Sequence, residues 1–311
     1  MGIIGKERDM KIKKIYLPKW ISFAFILLTI YSQNTVCSEE PTNGQKANIT
    51  YIANEGFLIE VGQKRIIIDA FFGERELNFC AIPTSEVLEQ MTTATGDFAR
   101  VDLIAVTHNH VDHFHAPFVA EHLMANEHAK FISCEQSTEK LAMHKGFESF
   151  KDRVLEITPD SLFYQDTVVN DIRVRVYRLA HGPYMITDPE TGSMVNKHRF
   201  VQNLGFVFEV DGIKIFHCGD SSPRCWDDYE HFRLDRESID IAMLGRGFLA
   251  SDVGFGIEIL RNYIKPEHIV LMHIHPESIP YFQNVANQVK QEFPSVTIFE
   301  SLMESREFLI P

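Results

Sequence analysis

The chain has 311 residues, 45% of them hydrophobic and 23% charged, enough apolar content to bury one large domain or two modest ones and to exclude a disordered polymer. Its formal charge of −13 at pH 7 repels phosphate backbones, so without a local basic channel nucleic acid is excluded as a partner. Five cysteines with no Cys-x-x-Cys pair exclude a disulfide scaffold, although one bridge among Cys80, Cys134, Cys218 and Cys225 suits an oxidising compartment.

Lys11, Lys13, Lys14 and Lys19 lead into WISFAFILLTI, Trp20 to Ile30. That run is too short to span a bilayer comfortably but fits the apolar region of a secretory signal. Thr35 and Cys37 place small residues at −3 and −1 of a cut before Ser38, and Met10 offers a more compact basic onset than Met1 as a start. The expectation is therefore a signal peptide over 1–37 and export to the periplasm or medium, with no stable membrane insertion after cleavage. An uncleaved membrane anchor is the competing reading. Lipid modification of Cys37 fits poorly because Asn34 and Val36 flank it. A polar linker, 38–47, follows, and the rest, 48–311, reads as one globular domain.

Within that domain GFLIEVGQKRIIID, Gly56 to Asp69, has the pattern strand, tight turn, strand. VDLIAV, Val101 to Val106, is short, apolar and rich in β-branched residues, the mark of a buried strand. Phe118, His122 and Leu123 predict a helix soon after it. Thr167 to Val176 reads as a hairpin about Asn170-Asp171. GFVFEVDGIKIFHCGD, Gly205 to Asp220, then repeats the first pattern about Asp211-Gly212. IDIAML, Ile239 to Leu244, stands to this second hairpin as VDLIAV stands to the first. Phe282, Val285, Ala286, Val289 and Phe293 predict a last helix capped by Ser278. The echo predicts two β-rich halves, drawn as two mixed sheets packed face to face and covered by helices.

The chemistry concentrates where VDLIAV stops, in THNHVDHFH, Thr107 to His115. His108 and His110 share a side if the chain stays extended, while Asp112 and His113 follow at the turn. Neutral imidazole and carboxylate converging from loops are the donors that suit a catalytic zinc, whereas a solvated histidine-rich loop is the plainer alternative. Three further residues end apolar strands: His181 after VRVYRLA, Asp220 after IKIFHCG and His273 after HIVLM. Strand ends on one sheet edge are where loops meet in a site. Singly, each also reads as an ordinary surface histidine or turn aspartate. His275 competes with His273, since positions two apart face alike, but His273 ends the apolar run directly and His275 precedes Pro276.

This set, His-x-His-x-Asp-His followed by separate His, Asp and His at strand ends, resembles the metallo-β-lactamase superfamily, as does the opening ITYIANEGFLIEVGQKRIIIDAFFG. The resemblance covers Asn48 to about Ile298. It implies an α/β fold, a four-layer αββα sandwich of two similar halves. It implies that His108, His110 and His181 hold one metal, that Asp112, His113 and His273 hold another, and that Asp220 bridges them. Asp69 matches an aspartate that is usually structural in the family. The commonest zinc β-lactamases carry cysteine at the Asp220 position, so antibiotic hydrolysis is not implied, and there is no room for the inserted domains of RNA-processing members. The GFLIE opening and the MH ending are most similar to the branch of ascorbate-6-phosphate lactonase and N-acyl phosphatidylethanolamine phospholipase D.

The implied activity is hydrolysis of a small-molecule ester, lactone or phosphodiester. Two divalent cations, zinc first and manganese or iron as alternatives, would lower the pKa of a shared water toward neutrality. Asp112 would orient the nucleophile or shuttle a proton as well as bind metal. Tyr184 and Arg246 are candidate oxyanion or substrate contacts, against the plainer roles of packed tyrosine and solvent-facing arginine. His217 and Cys218 read as buried supports. Phe71 to Gly96 and Tyr184 to Phe200 supply pocket walls with no readable code. The competing function is a metal- or ligand-binding module that turns nothing over.

Overall fold

The computed structural model describes residues 44–250 and 255–311. The signal peptide, the Met10 start, the cut before Ser38 and the alternative anchor lie outside the described residues, as do linker residues 38–43. The first half comprises β1 (Gln45–Ala53), β2 (Gly56–Val61), β3 (Lys64–Ile68), α1 (Ser85–Thr92), β4 (Leu103–Ala105), α2 (Ala116–Ala125), β5 (Lys130–Ser133), α3 (Glu135–Ala142) and β6 (Val154–Glu156). The second begins with β7 (Tyr164–Val169), β8 (Ile172–Arg178), the short pair β9 (Met185–Thr187) and β10 (Met194–Asn196), β11 (Leu204–Val210) and β12 (Ile213–His217). It continues with α4 (Trp226–Phe232), β13 (Ile241–Gly245), α5 (Phe255–Ile259), β14 (His268–Met272), α6 (Ile279–Val289), β15 (Val296–Ile298) and β16 (Ser305–Ile310). Strand β1 starts inside the segment assigned to the linker, and Ala47 is wholly buried. Polar composition hid a strand whose first two positions are exposed and whose remainder is buried or half-buried.

The two halves share one build. The first sheet runs β16-β1-β2-β3-β4-β5-β6 and the second β15-β14-β13-β12-β11-β8-β7. In each, an antiparallel hairpin (β2/β3 or β11/β12) passes into three parallel strands. The repeat legible in GFLIEV and GFVFEV is thus a repeat of topology. Ile66 and Ile68 of β3 join Phe206, Phe208 and Ile215 of the second sheet in one buried cluster, while Ile67 joins Val119, Leu123 and Leu141 beneath α2 and α3. Strand alternation therefore makes IIID apolar on both faces, and each wholly buried Ile or Phe contributes roughly 1.5–3 kcal/mol. On the far side, Tyr229, Ile259 and Phe282 from α4, α5 and α6 pack onto the second sheet. The result is the four-layer αββα sandwich.

Parallel register decides where the loops meet. Ile68 pairs with Ala105, His217 with Met243 and Gly245 with Met272, so β3 and β4, like β12, β13 and β14, end together and their connections open on one edge. The last helix differs in detail from its prediction. Ser278 occupies the cap position without a side-chain bond, and Phe293 lies beyond the helix end. The four described cysteines are free thiols, so the bridge considered from sequence is not formed. No helix among the described residues is long and apolar enough to cross a membrane.

Candidate metal centre

Asp69, just past β3, is wholly buried and organises the histidine loop. It accepts hydrogen bonds from Thr107 N at 2.7 Å and Thr107 Oγ1 at 2.6 Å, and lies 3.0 Å from His113 Nδ1. Thr107 Oγ1, its proton committed to Asp69, accepts from His108 Nδ1 at 3.0 Å. One carboxylate thereby fixes two rings so that both present Nε2, the orienting role that outer partners play for metal-bound histidines.

The second half delivers its side chains through turns as constrained. Gly219 has φ +55°, and a Cβ there would stand 2.5 Å from Asn203 Oδ1, so only glycine lets the chain turn into Asp220. Asp220 N then donates to Asn203 Oδ1 at 3.1 Å. The carbonyl of Gly182 accepts from Nδ1 of His181 at 2.9 Å and of His198 at 3.0 Å, and Gly182 N donates to Asp220 O at 2.8 Å. His273 ends β14 in the left-handed region, φ 57°, as Asn54 and Asp69 do at 53° and 47°. Strained residues of this kind, each costing about 1–3 kcal/mol, gather where the surrounding structure holds them for a purpose.

The side chains meet as two groups of donors. His110 Nδ1 is 3.0 Å from His108 Nε2 and 3.2 Å from His181 Nε2, while Asp220 Oδ2 is 3.7 and 3.0 Å from those two nitrogens. In the other group, Asp112 Oδ2 is 3.6 Å from His113 Nε2 and 3.5 Å from His273 Nε2. Asp220 Oδ1 is 3.5 and 3.6 Å from the same pair. Asp220 faces one group with each oxygen. Ligand bonds of about 2.0–2.1 Å in a tetrahedron separate donors by about 3.3 Å, within the spread seen here.

Electrostatics fit a cation in both groups. Burial pushes His108 well below the usual imidazole range, and burial followed by the His181 charge brings His110 to about 4, so these rings are neutral ligands at pH 7. Burial opposes ionisation of Asp112 and Asp220, but neighbouring imidazoles outweigh it, holding Asp112 at about 2 and Asp220 well below its usual value. Burial also opposes a charge on His113, yet Asp112, Asp220 and Asp69 hold it well above its usual value. Those carboxylates call for a positive charge at His113 Nε2, an atom that is buried without a hydrogen-bond partner. A metal ion would satisfy that nitrogen in place of the proton.

Other sequence candidates fall into place around this centre. His275 caps the turn after β14, its Nδ1 accepting from Glu277 N at 3.2 Å. His217 donates to the Glu55 carbonyl through Nε2 and accepts from Gly219 N through Nδ1, so it is a satisfied support. Cys218 is buried and its thiol bonds to the Gly219 carbonyl at 3.0 Å. His115 turns to Glu74 instead, 3.2 Å away. Over the donors opens a cavity of about 1140 Å³ lined among others by Phe79, Tyr184, His198, Arg224 and Arg246. Tyr184 is exposed at its rim rather than packed. Arg246 donates to the His273 carbonyl and lies 3.0 Å from its Nδ1.

Three residues went unnoticed in the sequence. Asn54 donates from Nδ2 to both Asp112 O and Oδ2 at 3.2 Å, Glu55 lies wholly buried at the cavity floor, and the His198 ring stands 4.0 Å from that of His181. The Asn-Glu pair breaking an apolar strand pair was the available signal for the first two. His198 lies in a polar loop that carries none.

A model of the beta-lactamase superfamily domain matches residues 48–247. The chain is 25% identical over 230 residues to a UPF0173 metal-dependent hydrolase of Pyrococcus furiosus, covering 72% of this chain and 83% of that one. To a protein of the same name from Thermococcus onnurineus it is 26% identical over 229 residues, again 72% and 83%. Among solved structures, a metallo hydrolase from the archaeon Ignicoccus hospitalis aligns with TM-score 0.57 at 18% identity, covering 86% of this chain and 100% of that one. The isothiocyanate hydrolase from Delia radicum gut bacteria aligns with TM-score 0.54 at 16% identity, covering 84% and 99%. At such identities the structural likeness speaks for the fold.

Proposed function

The chain belongs to the beta-lactamase superfamily, and on that premise we propose that it is a metal-dependent hydrolase whose His108, His110, His181, Asp112, His113, His273 and Asp220 hold two divalent cations. The observation that carries this reading is the position of Asp220, which offers one carboxylate oxygen to each group of donors. The relatives named metal-dependent hydrolases support it. Divalent cations so held supply hydroxide at neutral pH and polarise a carbonyl or phosphoryl oxygen.

The protein's own residues then divide the remaining work. Asp112, held by Asn54 and with its carboxyl at about 2, keeps a proton poorly. Its part beyond binding is to orient the attacking group rather than to store a proton. His198, anchored by donating from Nδ1 to the Gly182 carbonyl and kept neutral by burial, leaves Nε2 as an acceptor for a hydrogen bond from the attacking group or the substrate in the cavity it lines. Arg224 and Arg246 set two cations at the rim of a chain whose balance is −13, which favours a substrate carrying an anionic group. Tyr184 and Phe79 offer aromatic faces for its apolar part. An ester, lactone or phosphodiester of this description is the proposed substrate class, and zinc the first cation to test. The basic onset and apolar run of residues 1–37 support export as the setting.

The test is a panel of anionic and neutral lactones, esters, thioesters, phosphodiesters and β-lactams, run before chelation, after chelation and after return of Zn²⁺ or Mn²⁺. Turnover that vanishes and returns supports the proposal. Two bound ions with no turnover across the panel would favour a binding module, and undiminished turnover by the metal-free chain would remove the mechanism.

A further inference from the structure

Glu55 sits in the turn between β1 and β2, wholly buried, and neither of its carboxylate oxygens has a hydrogen-bond partner. A buried carboxylate without partners is costly. No neighbouring side chain relieves it. His113 Nδ1 is 4.0 Å from Oε2 but stands 3.0 Å from Asp69, and His217 spends both nitrogens on backbone groups. Asp220, Asp69 and Asp112 add negative charge around it. Ligand atoms of Glu55, Asp220 and His273 all lie within 4.8 Å of one another.

The backbone holds the residue there deliberately. His217 ties the Glu55 carbonyl to the turn that carries Asp220, and the preceding Asn54, itself at φ 53°, grips Asp112. Glu55 therefore joins the turns that deliver Asp220 and Asp112, and its side chain lines the cavity floor. We propose that Glu55 is a further ligand of the second group, adding its carboxylate to Asp112, His113, His273 and Asp220. This rests on the two-cation reading. The second site then has three carboxylates and two imidazoles, against three imidazoles and one carboxylate in the first. Oxygen-rich donor sets accept manganese better than nitrogen-rich ones do, so the two sites differ in metal preference.

The test uses metal-free full-length chain as wild type, Glu55→Gln and Glu55→Ala, each titrated separately with Mn²⁺ and Zn²⁺. Bound ions are counted per chain, and each protein is also melted without metal. Wild type should bind two ions. Both variants should keep the tighter ion at nearly wild-type affinity and bind the other at least about tenfold more weakly, with the greater loss for Mn²⁺. The metal-free melt of Glu55→Gln should match or exceed that of wild type, because its amide can donate to the surrounding carboxylates. Two ions in wild type and an unchanged second affinity in either variant would overturn the role of Glu55 alone. Fewer than two ions in wild type would overturn the two-cation reading and Glu55 with it. Lower metal-free melts with intact affinities would assign Glu55 to the fold.

Discussion

The two groups of donors share Asp220 and little else. In the first, His108 is wholly buried and fixed through Thr107, three imidazoles crowd together, and burial keeps His108 and His110 neutral. In the second, two carboxylates face two imidazoles even before Glu55 is counted, His273 is 24% exposed, and its backbone is held in the left-handed region. If both groups hold cations as proposed, a rigid, nitrogen-rich site and a strained one richer in oxygen should differ in metal choice and in how readily each gives up its ion. Chelation should accordingly remove one ion before the other, the second group emptying first.

The largest effect should come from the one residue both groups use. Asp220→Ala leaves the remaining donors without the shared negative charge that offsets repulsion between two cations. Bound metal should fall from two ions to one or none, and hydrolysis by roughly 10³-fold or more. Metal analysis paired with turnover checks this, and unchanged metal content with near-normal rate would return Asp220 to the role of turn residue.

Next come substitutions that strike one group only. His110→Ala should weaken the first site, and His273→Ala the second, each chain keeping one ion and losing about 100-fold or more in rate. His275→Ala should keep both ions and change the rate only modestly, because His275 caps a turn. If His275→Ala loses an ion while His273→Ala keeps both, the second group has been drawn around the wrong histidine.

Why the histidine loop was so much more legible than the donors from the second half follows from how each is built. His108, His110, Asp112 and His113 lie in one loop, so spacing alone exposed them. His181, Asp220 and His273 come from separate strands of the second sheet, and only their shared position at the ends of apolar runs suggested them. The choice of His273 over His275 leaned on where the strand stops, and the structure places His273 with the donors at the end of β14. The repeat of hairpin and parallel strand was readable because burial on both faces writes itself as unbroken apolar runs. Glu55 was overlooked, since a single glutamate beside Asn54 in a turn looks solvent-facing until the second sheet closes over it, even though the Asn-Glu pair interrupts two apolar strands. The early start of β1 was missed for a similar reason: Gln45 and Lys46 are exposed and pair their backbones with β16, a partner more than 250 residues away.

A subtler change tests the support rather than the ligands. Asp69→Asn keeps size and much of the hydrogen bonding but loses the charge that accepts from Thr107 Oγ1 and faces His113 Nδ1. Affinity for metal should fall about 10–100-fold. Both groups should suffer, as Asp69 reaches His113 directly and His108 through Thr107. A loss confined to the second ion would break the argument that one carboxylate orients rings of both groups.

The smallest effect concerns stability and separates the first group from the rest of the fold. His122 lies outside both groups, buried beneath the first sheet, with Nδ1 bonded to the Met91 carbonyl. Burial lowers it from 6.5 to about 4, and His110 is lowered to about the same value. Each folded-state pKa lies below that of the unfolded chain, so each stabilises fully above about 6.5 and loses that contribution as pH falls through about 4. Metal-free protein should thus lose urea stability between pH 6.5 and 4 through His122 and the first group together, whereas the carboxylate of Asp112, at about 2, gives way only at lower pH. Holding the ions in place keeps the first group's share and extends it to lower pH, since a bound imidazole takes up no proton in the folded chain while the same ring in the unfolded chain still does. His122→Asn should then reduce the slope between pH 6.5 and 4 by its own share only, in metal-free and loaded protein alike. If that substitution leaves the slope unchanged, the acid sensitivity belongs to groups other than His122.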